Sequence, residues 1–218
     1  MKKQAIFGGT AVVLLVAFVV ASGMYKGQEA ERVEAAAEEA EIELAPAHSI
    51  SVGPEDARVT IVEFFDPACE TCAQFHKPVK QLLAERPDRV RLVLRYLPLH
   101  HGSEDVAKML EASRKQDRFW EVLEVMFKTQ GRWASHHHPQ PEALWELIPA
   151  AGVEIDMEQL RADANEMAVA SVVQNDIDAA RALGIRKTPG FLVNGKPLPS
   201  FGLRQLQTLV DAEIVAAY

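Results

Sequence analysis

Ile61-Val62-Glu63-Phe64-Phe65-Asp66-Pro67-Ala68-Cys69-Glu70-Thr71-Cys72 is the stretch on which the reading of this chain turns. Its first half is β-branched and aromatic, the composition of a buried strand packed on both faces. Asp66-Pro67 ends that run. After Cys72 comes Ala73-Gln74-Phe75-His76-Lys77, then Val79, Leu82 and Leu83 at helical spacing. Cys69 is therefore expected where a strand hands over to a helix, with Cys72 one turn further in. The free N–H groups and positive dipole end of a helix stabilise a thiolate there. A second thiol three residues on can close a disulfide with it.

These are the only two cysteines in 218 residues. Scattered at random, two cysteines would fall three apart in about one such chain in a hundred. A zinc knuckle needs another ligand pair. The histidine groups on offer are His100-His101 and His136-His137-His138. Adjacent side chains point apart in a strand or helix, so neither group is an obvious ligand pair, and the triple histidine reads as a solvated turn. Redox chemistry is the favoured reading, with a structural disulfide or a metal knuckle as the alternatives.

Met1-Lys2-Lys3 precedes an apolar run from Ala5 to Ala21, a basic start before an apolar core that marks export. The run exceeds the ~7–15 residues of a signal core and approaches the ~17–25 that span a bilayer. An uncleaved anchor over residues 1–24 is expected, with a cleaved signal as the alternative. Either way the remainder lies outside the cytoplasm, where a disulfide persists. Residues 25–47 form an acidic Ala/Glu linker, with seven glutamates and one arginine between positions 28 and 44. It reads as a solvated spacer, and less readily as an oligomerising stalk, because its stripe is mostly alanine. From residue 45 onward there are 19 basic and 24 acidic side chains and no basic stripe, so nucleic acid is not an expected partner.

The folded part is expected over residues 48–218, long enough for one domain with a real core. Gly53-Pro54-Glu55-Asp56 is a turn, Val59–Phe65 a strand, and the helix after Cys72 meets Pro78 in its interior. Arg86-Pro87-Asp88 ends that helix. Val90–Leu97 is the next strand, giving a right-handed parallel crossover. From Ser103 to about Leu183 the pattern is wholly helical, closed by Gly184. Trp120, Trp133 and Trp145 fall here and read as core. Gly190–Val193 returns to β, Asn194-Gly195 is a hairpin signal, and a last amphipathic helix carries Leu203, Leu206, Leu209, Val210 and Ile214.

That order of elements, βαβ, a helical block and then ββα, resembles the thioredoxin fold with a helical insertion (about 103–177). The whole is an α/β architecture in which the cysteine pair sits at the first strand–helix junction. It is most similar to the DsbA-like family of exported thiol–disulfide oxidoreductases. The resemblance rests on Val59–Asp66 leading into Cys69–Cys72, on Phe119-Trp120-Glu121, and on Ala182–Lys196 around Thr188-Pro189. It implies that Cys69 is the exposed nucleophile and Cys72 the buried resolving thiol. Thr188-Pro189 would be a cis-proline loop beside the cysteines that pairs with a substrate strand, and Glu63 a buried acid that relays the proton of Cys72. No cofactor is implied beyond a redox-active Cys69–Cys72 disulfide. The implied partners are exported proteins with thiols or disulfides and a membrane redox partner. The implied location is the periplasmic side of the inner membrane, held there by the N-terminal segment.

Two positions depart from the family. Glu70-Thr71 stands between the cysteines where strongly oxidising members carry Pro-His, and Thr188 before the proline is closer to isomerase and reductase members. A carboxylate at Glu70 disfavours a nearby thiolate. The Cys69 pKa is therefore expected between that of DsbA and that of a free thiol, and the disulfide is expected to be less oxidising than that of DsbA. The competing function is copper or zinc handling by the two thiols and the histidines, without catalysis.

Overall fold

A computed structural model of the chain describes residues 42–134 and 139–218, together with scattered helical positions between 17 and 36. The expected anchor over 1–24 and the triple histidine His136–His138 therefore lie largely or wholly outside the described residues. Among the described residues no helix is long and apolar enough to cross a membrane.

Five strands form one mixed sheet in the order β1-β3-β2-β4-β5. They are β1 (Ile50–Val52), β2 (Val59–Phe65), β3 (Val90–Tyr96), β4 (Gly190–Val193) and β5 (Lys196–Pro197). The central pair, β2 and β3, is parallel, with Val59 opposite Val90 and Phe65 opposite Tyr96. Its crossover is α1 (Glu70–Ala84), which runs through Pro78 and ends at Glu85, just before Arg86-Pro87. On the other side of β2, β4 pairs antiparallel. The β4–β5 hairpin turns at Asn194 (φ 48°) and Gly195 (φ 83°). Those paired left-handed residues are what an Asn-Gly hairpin demands. The short strand β1, antiparallel on the far edge of β3, lies in a segment the sequence had offered only as an approach to a turn.

Between β3 and β4 come α2 (Ser103–Ser113), α3 (Phe119–Lys128), α4 (Gln130–Trp133), α5 (Leu144–Ala150), α6 (Met157–Ala164) and α7 (Met167–Ala182). Asp156 caps α6 by accepting from the Glu158 and Gln159 N–H groups. At the end of α7, Gly184 takes φ 71°, while the Ile185 N–H reaches the Ala180 carbonyl and the Gly184 N–H reaches that of Arg181. This Schellman ending turns the chain into the loop that carries Thr188 and Pro189. The chain closes with α8 (Leu203–Ala217).

Alternation along β2 divides the core. Ile61 and Phe65 point into the larger cluster, which includes Cys72, Val79, Leu82, Leu92, Leu94 and the helical block; Trp133 is buried in it. Val62 and Phe64 point the other way, onto Val93, Leu97, Leu183 and Leu192. Arg95 shares that second face and is buried. Its Nε donates to Asp176 Oδ1 at 2.7 Å, and Asp176 Oδ2 accepts the Tyr96 N–H at 2.9 Å, so neither charge is stranded. Packing begins before His48. Ile42, Leu44 and Ala45 lie against the second cluster, Val33 is buried in it, and Arg95 Nη1 donates to the Glu43 carbonyl. The stretch expected as a solvated linker is thus, at its described positions, partly laid onto the domain.

Candidate functional site: a dithiol at a helix start

Cys69 is the N-cap of α1 and Cys72 lies one turn inside it. Both are free thiols. Cys72 is wholly buried, and Cys69 keeps only 7% of its surface. The nucleophile expected from the sequence to be exposed is therefore largely buried. The Cys69 thiol lies 3.4 Å from the carbonyl oxygen of Thr188. That contact brings the loop after α7 against Cys69; the Thr188–Pro189 peptide in it is cis.

The two sulfurs are electrostatically unequal. The Cys72 thiol donates to Cys69 and, joined by Thr188 and the N–H groups of Cys72 and Thr71, brings the Cys69 pKa down to about 5. Partial burial opposes this and does not prevail. Burial pushes Cys72 well above its ordinary value, and its bond to Cys69 and the nearby Glu63 charge add to the effect. One thiol is thus an anion at neutral pH and its neighbour holds its proton. Thr71 enters through its backbone. Glu70 is exposed on the first turn and is not among the main groups that set the Cys69 value.

Glu63 shares the β2 face of Ile61 and Phe65 and retains 5% of its surface. Burial, and then the Cys69 charge, raise its pKa to about 8. A cavity of about 220 Å³ opens beside it, lined among others by Val52, His76, Lys80, Leu94 and Trp120. A carboxyl with a pKa near 8, coupled to both cysteines, is poised to carry a proton at physiological pH.

Asp66 is the residue whose part the sequence did not disclose. It is fully buried. Its Oδ1 accepts the Ala68 N–H at 2.8 Å, and its Oδ2 accepts the Leu99 N–H at 2.8 Å, the Ser103 hydroxyl at 3.1 Å and the His100 N–H at 3.2 Å. His100 Nδ1 lies 2.7 Å from the same oxygen. Together these bonds pin the β2–α1 turn to the loop between β3 and α2, and the Asp66 carbonyl takes the Cys69 N–H at 3.0 Å. Gln130 adds a second pin by donating to the Pro67 carbonyl at 2.9 Å. Among the described residues no group of three or more His, Cys, Asp and Glu is placed to hold a metal ion.

Comparison with known proteins agrees with this geometry. The thioredoxin family profile matches residues 46–212. A thioredoxin-like oxidoreductase from Silicibacter pomeroyi is 29% identical and superposes with a TM-score of 0.65 over 77% of this chain and 92% of its own. A probable disulfide bond formation protein D of Bacillus anthracis is 28% identical over 170 residues, covering 75% of this chain and 77% of that one. The Na(+)/H(+) antiporter NhaA of Herminiimonas arsenicoxydans is 34% identical over 162 residues, but this chain spans only 25% of the antiporter's length. With the parallel crossover, the cysteine pair at the start of α1 and the loop of Thr188 and Pro189 beside it, the chain belongs to the thioredoxin family, among its DsbA-like members.

Proposed function

We propose that the chain is a thiol–disulfide oxidoreductase that exchanges disulfides with exported proteins through Cys69 and Cys72. The observation that carries this reading is the inequality of the two sulfurs, with Cys69 near pKa 5 and Cys72 protonated beside it. In the reductive direction the Cys69 thiolate attacks a substrate disulfide, forms a mixed disulfide and releases one substrate thiolate. Forming the mixed disulfide removes the Cys69 charge that helps to hold Glu63 protonated; the ionised Glu63 then takes the Cys72 proton, and the Cys72 thiolate attacks Cys69. That step closes Cys69–Cys72 and expels the second substrate thiolate, which now holds the electron pair. The oxidative direction is the same path reversed, with Glu63 returning the proton. Thr188 and Pro189 present the backbone against which the substrate strand lies. A membrane redox partner resets the pair, and the N-terminal segment holds the domain on the periplasmic side of the inner membrane.

The poise follows from the thiolate. DsbA combines a pKa of ~3.5 with about −120 mV, and thioredoxin a pKa of ~7 with about −270 mV. A Cys69 value near 5 lies between them, so the pair should be less oxidising than DsbA and more oxidising than thioredoxin. Insulin reduction tests the activity, which should vanish in Cys69→Ser. A glutathione redox titration tests the poise. Tight copper or zinc binding by a chain that does not reduce insulin would establish the metal-handling alternative instead.

A further inference from the structure

We propose that the cavity beside Glu63 binds a small, flat, neutral ring whose edge carries a hydrogen-bond donor and acceptor side by side, as a lactam does. Its occupation slows the step in which Cys72 resolves a mixed disulfide. The effect on resolution rests on the exchange reaction proposed above; the binding does not. The walls come from α1, α3 and strands β1, β2 and β3, and all of them fall within residues 42–134. Val52, Val79, Leu92, Leu94 and Trp120 make the cavity apolar. Phe119 braces the Trp120 ring edge-on at 5.1 Å, so one wall is a fixed aromatic platform. The volume of about 220 Å³ exceeds the ~150 Å³ of an apolar cavity that takes up benzene. It falls short of the ~300 Å³ at which drug-sized pockets begin. The occupant is thus one ring or two fused rings.

Glu63 sets what the ring must carry. It keeps 5% of its surface, lines the cavity, and has no hydrogen-bond partner among the described residues. A buried carboxyl costs free energy until it is paired. Held protonated at neutral pH by its burial, it presents one O–H donor beside one carbonyl acceptor. A lactam edge is the complement: its N–H donates to the carboxyl carbonyl, and its C=O accepts from the carboxyl hydroxyl. Charge on the ring is disfavoured from both sides. His76 and Lys80, the other polar wall residues, work against a cation. Both are already held by Glu124, His76 Nε2 at 3.2 Å, so neither calls for an anion. An ionised Glu63 would repel the lactam carbonyl. A bound lactam therefore keeps the proton on Glu63 and takes the acceptor away from Cys72.

The test uses the full chain, 2-quinolone as the lactam, and its N-methyl analogue, which lacks the donor. Calorimetry should give a Kd of about 0.1–1 mM for the lactam and at least about tenfold weaker binding of the N-methyl compound. Glu63→Gln, whose amide offers the same donor and acceptor, should keep the affinity within about threefold, and Glu63→Leu should lose it. The kinetic arm mixes reduced protein with dithiobis(nitrobenzoate) near pH 8. Cys69 releases one thionitrobenzoate on attack, and Cys72 expels the second as the Cys69–Cys72 disulfide closes. Saturating lactam should leave the first release unchanged and slow the second at least about threefold, without slowing the second release of Glu63→Gln. Equal binding of the lactam and its N-methyl analogue, or equal binding by the parent and Glu63→Leu, overturns the site. Lactam binding that leaves the second release unchanged overturns its link to exchange. A chain that expels no second thionitrobenzoate even without lactam fails the exchange reading itself, whatever the calorimetry shows.

Discussion

Replacing Glu63 with glutamine should make the protein more stable and less competent, and the gain in stability should grow with pH. The side chain is buried, and its pKa stands at about 8 against an ordinary 4.5. The folded state thus binds the proton more tightly than the unfolded chain does. Below about pH 4.5 both states hold it, and this contribution to stability is fully present. Between 4.5 and 8 the unfolded chain releases the proton while the folded one retains it, so stability falls by up to about 1.4 kcal/mol per pH unit. Above 8 the loss levels off, at about 5 kcal/mol for the difference of roughly 3.5 pH units. The amide of the Glu63→Gln variant does not titrate. Urea unfolding of the two reduced proteins, measured from pH 5 to pH 8, should show the variant gaining on the parent by about 4 kcal/mol over that range. Any fixed cost of the amide shifts the offset between the curves and leaves the slope alone. Cys69, held low, contributes in the opposite sense in both proteins. In the oxidised pair it carries no charge, so the slope should shrink while the burial component persists. Near pH 8, where Glu63 ionises, the variant should resolve mixed disulfides more slowly, since Cys72 has lost its proton acceptor. A stability difference that stays constant from pH 5 to pH 8 would show that Glu63 titrates as an ordinary carboxyl, and the relay would go with it.

Other substitutions probe the frame around the thiols. Asp66→Ala strands the buried donors of Ala68 and Ser103 and releases the Leu99 N–H; it should cost about 3 kcal/mol by urea unfolding and slow exchange by loosening the turn before Cys69. Arg95→Met takes the guanidinium from the buried Asp176, leaving it the Tyr96 N–H and the His48 ring at 3.1 Å, and should cost about 3 kcal/mol, part of which Asp176→Asn in the same chain should recover. Glu70→His should lower the Cys69 pKa by about half a unit or less, because the residue it replaces is exposed and its field is screened. Thiolate absorbance against pH would measure that change, and a shift of two units would restore Glu70 as the main control of poise.

What the sequence disclosed were features written within a few residues of each other. The run Ile61–Phe65 before Cys69, the period of Val79, Leu82 and Leu83, Gly184 after α7 and Asn194-Gly195 each carry their own geometry. They place the parallel crossover, the cysteine pair and the closing hairpin without reference to distant contacts. Strand β1 escaped notice because three residues have no measurable period, and what makes Ile50–Val52 a strand is the free edge of β3. The part played by Asp66 was hidden for a related reason: three of its four donors come from Leu99, His100 and Ser103, more than thirty residues away. Arg95 can be buried because Asp176 of α7 and the Glu43 carbonyl accept from it, both more than fifty residues away. The packing of Leu44 and Val33 on the second cluster was masked by the glutamates around them, which make the segment look solvated throughout.

The central claim is that Cys69 alone is the reactive thiolate. Iodoacetamide labelling of the reduced chain from pH 4 to pH 9, with the label located by peptide mass mapping, tests it most directly. The account predicts modification at Cys69 only, with a rate that rises through a midpoint near pH 5 and is flat by neutrality. A rate that climbs only through the ~8.5 of an ordinary thiol, or a label found first on Cys72, would contradict it.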